Sequence, residues 1–162
     1  MPITPVLPKF RILGQQEQPW ASMKLGSSNL TVGHDGCDLC SVLTLSNYFY
    51  GGMKWTPDQI CTDASLFTPD GLVIYDALCA KLGNLKYTGA VVGENYSAIK
   101  TAIQGTNTGV VLWVNDKSHF VLGWSIPLFG NDFNVADSWY QKVDQAKGTW
   151  KNIDGARFFI HS

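Results

Sequence analysis

Of the four cysteines in the chain, Cys37, Cys40, Cys61 and Cys79, one stands in a setting suited to nucleophilic chemistry. Gly36-Cys37 falls where a polar run ends and an apolar helical pattern begins. Free amides and the macrodipole at a helix N-terminus stabilise a thiolate and lower a cysteine pKa from ~8.5. A thiolate formed there is a nucleophile at neutral pH. Gly36 lets a substrate carbonyl approach the backbone closely, and the amide of Cys37 is a ready oxyanion donor. His119 opens an apolar run directly after a tight turn, a place that holds an imidazole rigidly. Such a ring serves as base for the thiol and then as acid for the leaving group. Asp137 closes the following run, Asn134 to Asp137, where it can accept from the far imidazole nitrogen. Gln15, on a loop before Trp20, is a candidate second oxyanion donor, with Gln16 competing for the role.

Asp38 follows the candidate nucleophile. A carboxylate beside a thiolate opposes its ionisation, although it also favours a helix start. A calcium-assisted site built from Asp35 and Asp38 is a further option, so metal binding stays open. Cys37-Asp-Leu-Cys40 is formally a CxxC motif, but a redox site calls for a strand leading into it. The run before it, Gly33 to Gly36, is polar instead. Cys40, Cys61 and Cys79 read as core thiols. His34 reads as solvated or substrate-lining, and His161 as exposed.

Several elements must position these residues. Three prolines make residues 1–9 an extended arm, leaving 10–162 as one domain. Lys9 to Leu13 reads as a short strand, and Ser27 to Gly36 as loop. Leu39, Cys40, Val42, Leu43, Leu45, Tyr48 and Phe49 make Cys37 to Tyr50 a buried central helix, ended by Gly51-Gly52. Thr56-Pro57 starts a second helix that runs to about Phe67. Leu72 to Leu82 forms a third, closed by Gly83. Leu85 to Val92 is a strand, and Asn95 caps a helix to about Gln104. Gly109 to Val114 and His119 to Ser125 form a hairpin about the Asn115–Ser118 turn. Strands follow over Asn134–Asp137 and Arg157–His161. Helices first and an antiparallel sheet after them give an α+β class.

Taken together, these pieces resemble the papain superfamily. They are most similar to the peptidases related to the double-glycine leader peptidases that mature bacteriocins. The resemblance is carried by Gln15 to Ala21, Leu25-Gly26, Thr31 to Cys37 with Ser41, Trp55-Thr56-Pro57, His119 to Leu122 and Val135 to Trp139. It implies a papain-like fold with a central helix carrying Cys37 packed on a sheet carrying His119 and Asp137. It also implies the roles: Gln15 for the oxyanion hole, Cys37 as nucleophile, His119 as base, Asp137 as orienter. Glu17 stands where the family has Asp, and Ser138 where it has Pro.

Composition narrows the partners. Hydrophobic residues make up 45% and charged residues 15%, which suits a packed domain. A net charge of −1 gives no electrostatic footprint for nucleic acid. No apolar run reaches the ~18 residues of a membrane span, and the proline-punctuated start lacks the form of a signal peptide. The mechanism needs no cofactor. The expected function is hydrolysis of an amide bond, with peptidoglycan stem or cross-bridge peptides as substrate for a phage-type lytic or virion-associated peptidase. An endolysin of that kind would act from the host cytoplasm or the virion. The alternatives are a precursor-processing cysteine peptidase and an inactive peptide-binding module of the same fold.

Overall fold

The computed structural model describes residues 11–162. The expected arm over residues 1–9 lies outside the described residues, as does the start of the Lys9–Leu13 strand. Arg11 to Leu13 belong to no strand. Their backbone is satisfied by side chains instead: Leu13 N donates to Thr44 Oγ1 at 3.2 Å, and Gln141 Nε2 donates to Ile12 O at 3.0 Å.

The class is α+β, as the order of elements implies. The short helix α1 (Val32–Asp35) leads through Gly36 into the central helix α2 (Cys37–Tyr50). Then come α3 (Pro57–Ile60), α4 (Tyr75–Leu82), β1 (Leu85–Val92) and α5 (Tyr96–Gln104). The sheet continues with β2 (Thr108–Val114), β3 (His119–Ser125), β4 (Asn134–Asp137) and β5 (Lys142–Gln145). Helix α6 (Ala146–Trp150) and β6 (Ile153–His161) complete the chain. The six strands pair antiparallel in the order β1-β6-β2-β3-β4-β5.

Both faces of the sheet centre are covered, which explains why β2 is an unbroken apolar run. Val111 of β2 and Leu122 of β3 join the core with Leu39, Leu43 and Leu78 of α2 and α4. Val110, Leu112 and Val121 join Ile99 and Ile103 of α5 in a second core on the opposite face. Strand alternation assigns neighbouring residues to the two cores. Helix α2 lies so close to β2 that a Cβ on Gly109 would collide with the Leu45 side chain.

Four expectations change. The loop over Ser27–Gly36 contains α1, because Thr31 Oγ1 accepts from His34 N and starts a turn. The second helix stops at Ile60 rather than near Phe67. Asp63 Oδ1 accepts from Ser65 N and redirects the chain into a 3-10 turn over Ala64–Leu66. The third helix begins at Tyr75 rather than Leu72, since Val73 is held extended against Phe67. The last strand begins at Ile153, well before Arg157, and pairs with both β1 and β2.

Candidate active site

The turn from α1 into α2 sets the position of the thiol. A Cβ on Gly36 would sit against Val32 O, so this glycine is required by the packing of α1 on α2. That is a different reason from the substrate access expected for it. Cys37 is the first residue of α2 and is 7% exposed.

The sheet brings up the candidate base, His119. Leu122 of β3 lies opposite Ala136 of β4, so the start of β3 and the end of β4 share one end of the sheet. There His119 Nε2 lies 2.8 Å from Asp137 Oδ1. Asp137 is fully buried, and its Oδ1 also accepts from Trp139 N at 2.9 Å. An ionised carboxylate only accepts, so Nε2 carries the imidazole proton and Nδ1 keeps its lone pair. The next residue, Phe120, donates its backbone N–H to Cys37 Sγ at 3.4 Å. Consecutive residues of β3 therefore touch the carboxylate and the thiol. Cys37, His119 and Asp137 all line one cleft of about 490 Å³.

Gln15 sits behind that cleft and does not line it. It is fully buried, with Oε1 accepting from Ser138 Oγ at 2.9 Å and Nε2 donating to Gly33 O at 3.2 Å. Its own N–H donates to Ser138 O at 3.0 Å. Gln16 Nε2 donates to the same Gly33 carbonyl and lines a separate, neighbouring cavity with His34 and Trp139. Gln15 is thus tied to the residue that follows Asp137, whereas Gln16 is not.

The electrostatics depart from the expected thiolate. Burial pushes the Cys37 thiol up to about 12, and the Asp38 carboxylate adds to the rise. The N–H groups of Phe120, Asp38 and Cys37 itself pull the other way without balancing it. Desolvation outweighs the helix N-terminus, so the resting group is a thiol. Asp38 is itself raised from 3.8 to about 6 by burial, opposed by a hydrogen bond from Tyr75 Oη to its Oδ2 at 2.6 Å and by the charge of Arg157. Asp38 Oδ1 and Asp137 Oδ2 are buried without hydrogen-bond partners.

The other cysteines are free and buried. His34 is exposed and pairs with Asp35 at 3.0 Å on the cleft wall. His161 is exposed and stacks on Phe49 with ring centroids 4.6 Å apart. Among the described residues no three His, Cys, Asp or Glu side chains are grouped to hold a metal ion, and none of their helices is long and apolar enough to cross a membrane.

Three residues enter the site without being foreseen. Ser138 was legible only as a departure from a resembled motif. Tyr75 and Trp150 carry no local signal, because α4 and α6 bring them in from distant positions. A scan against protein-family models finds no match to the chain, and a search of curated protein sequences finds none either.

Proposed function

We propose that this chain is a papain-like cysteine hydrolase that cleaves an amide bond through a thioester on Cys37. The observation that carries the reading is the paired contact of β3: His119 on Asp137 at 2.8 Å, and Phe120 N on Cys37 Sγ at 3.4 Å. It supports the reading because Cys37, His119 and Asp137 line one cleft, where they would serve as nucleophile, base and orienting carboxylate.

The mechanism follows from the protonation states. The resting thiol passes its proton to His119 Nδ1 as sulfur attacks the substrate carbonyl. The tetrahedral oxyanion is met by the Cys37 N–H; Gln15, whose Nε2 has a second hydrogen besides the one on Gly33 O, joins it only if the amide moves forward from its buried place behind the cleft. Imidazolium then protonates the departing amine, leaving an acyl thioester. Water, activated by the neutral imidazole, hydrolyses the thioester and regenerates the thiol.

Peptidoglycan stem or cross-bridge amides are the preferred substrate, as for a phage-type lysin or virion-associated peptidase. The resembled family supports this choice, as does a cleft walled by Trp113, Phe120, Trp139 and Tyr140 that suits an extended peptide. Purified sacculi of several wall chemotypes test it: turbidity falls and new amino groups appear with the wild type but not with Cys37→Ala. No released amine from any chemotype refutes the wall substrate. Cleavage of a protein precursor in its place would favour a processing peptidase.

An inactive peptide-binding module is the second reading. The observation that favours it is the buried thiol raised to about 12. Peptide binding with no acylation of Cys37 by an activated ester would select it.

A further inference from the structure

The proposed mechanism leaves a thiol beside the nucleophile unused. Cys40 stands one turn along α2 from Cys37, and both thiols are free. Residues three apart on a helix have Cα atoms about 5 Å from each other, inside the range that a disulfide spans. Their Cβ atoms lie about 5–6 Å apart, wider than a relaxed disulfide allows. A bond between them therefore strains the first turn of α2 and is readily reduced. No side chain caps α2 at Gly36, so that turn is free to tighten.

The surroundings single out this pair. Cys37 lines the cleft, whereas Cys40 does not line it and has no exposed surface. Ser41 Oγ donates to Cys37 O and Thr44 Oγ1 to Cys40 O, both at 2.7 Å. These bonds hold the two carbonyls, so the sulfurs approach by side-chain rotation. Burial first, and the charge of Cys37 next, raises the Cys40 thiol, as a close neighbour does. Cys61, at the end of α3, acts on Cys40 more weakly. A dithiol enzyme needs a strand that delivers its CxxC. A local switch needs only two thiols at this spacing, one open to the cleft and one shielded.

Resting on the cysteine-hydrolase reading, we propose that Cys40 is a resolving cysteine: it captures oxidised Cys37 in a reversible disulfide, which switches the hydrolase off under peroxide and spares its nucleophile from irreversible oxidation. Peroxide is the oxidant. The Cys37 thiolate formed beside the His119 imidazolium attacks one peroxide oxygen and the O–O bond breaks. The departing hydroxide takes the imidazolium proton and leaves as water, and Cys37 becomes a sulfenic acid. The Cys40 sulfur then attacks the Cys37 sulfur. The S–S bond forms, the S–OH bond breaks, and hydroxide leaves as water with the Cys40 proton. Two thiols and one peroxide thus give one disulfide and two waters. A dithiol reductant returns both thiols by exchange. In the disulfide the Cys37 sulfur turns from the Phe120 N–H toward Cys40, and it no longer attacks a carbonyl.

The test treats the reduced full chain with excess hydrogen peroxide at neutral pH, blocks the remaining thiols and maps tryptic peptides without reduction. Leu25 to Lys54 holds Cys37 and Cys40 in one such peptide, whereas Cys61 and Cys79 share the next, Trp55 to Lys81. The first peptide loses two hydrogens and takes no blocking group, and dithiothreitol then restores both thiols. In Cys40→Ala, Cys37 still reacts with iodoacetamide, but peroxide adds oxygen to it and recovery with dithiothreitol falls by about tenfold or more. The wild-type map carries the test if Cys40→Ala does not fold. A cross-link between the two peptides overturns the proposal. So does a wild-type Cys37 that stays unmodified or only gains oxygen, and so does equal recovery in wild type and Cys40→Ala. Acylation of the reduced protein by an activated ester is read separately. No acyl group on Cys37 overturns the hydrolase reading, whereas acylation without the Cys37–Cys40 link overturns the switch alone.

Discussion

Ser138 donates its hydroxyl hydrogen to Gln15 Oε1 at 2.9 Å, joining residues 123 positions apart in the chain. The direction of this bond is fixed by a third group. Gly33 O can only accept, so the Gln15 amide must turn Nε2 toward it and Oε1 toward Ser138. Ser138 therefore sets which end of the amide faces the turn that carries the thiol. Ser138→Ala leaves a buried carbonyl oxygen unsatisfied and costs about 1–3 kcal/mol of stability. Acylation by an activated ester falls, since that step develops an oxyanion. Alkylation by iodoacetamide, which develops none, keeps its rate. Stopped-flow acylation beside alkylation of the same variant checks the split.

Asp38 opposes ionisation of the proposed nucleophile. Its charge adds to the rise of the Cys37 thiol, although burial is the larger cause. Asp38→Asn removes the charge and speeds alkylation at neutral pH by roughly two- to tenfold. A rate equal to wild type would show that burial alone sets the thiol.

The same carboxylate gives a pH signature in stability. Its folded pKa is raised from 3.8 to about 6, so the folded state binds its proton more tightly than the unfolded chain does. That contribution is fully present below pH 3.8 and is lost as pH rises through about 6. Asp38→Asn has no such loss. Relative to wild type it therefore gains stability between those limits, by up to about 3 kcal/mol. Urea unfolding of both proteins at the two pH limits measures the gain. A constant difference would contradict the raised carboxyl.

Asp137→Ala removes the acceptor that fixes the proton on His119 Nε2. Without it the imidazole is free to turn and to carry its proton on Nδ1, and a protonated Nδ1 takes no proton from sulfur. Acylation drops by about two orders of magnitude or more, while substrate binding persists. Single-turnover kinetics separate the two effects.

The legible parts of this fold are those where a local pattern and the tertiary structure agree. Cys37–Tyr50 shows its helix by apolar content and ends at Gly51, which takes a left-handed φ of 76°. The β2–β3 hairpin shows by two apolar runs around a short polar turn. Together they place Cys37 and His119, and strand order places Asp137. The illegible parts are held by distant side chains. Helix α6 depends on Asp132, and β5 has no fully buried residue in its pattern. Tyr75 reaches Asp38 across 37 residues. Spacing also misled on the thiol, because it identified a helix N-terminus but not the depth of burial that outweighs it.

The central claim is that His119 activates Cys37, and selective alkylation at neutral pH tests it most directly. Burial raises Cys40, Cys61 and Cys79 as well, and none of the three lines the cleft with His119. The account predicts that iodoacetamide modifies Cys37 ahead of these three and that His119→Ala abolishes the preference. Alkylation of Cys37 no faster than that of the other three, or at an equal rate in wild type and His119→Ala, would contradict it.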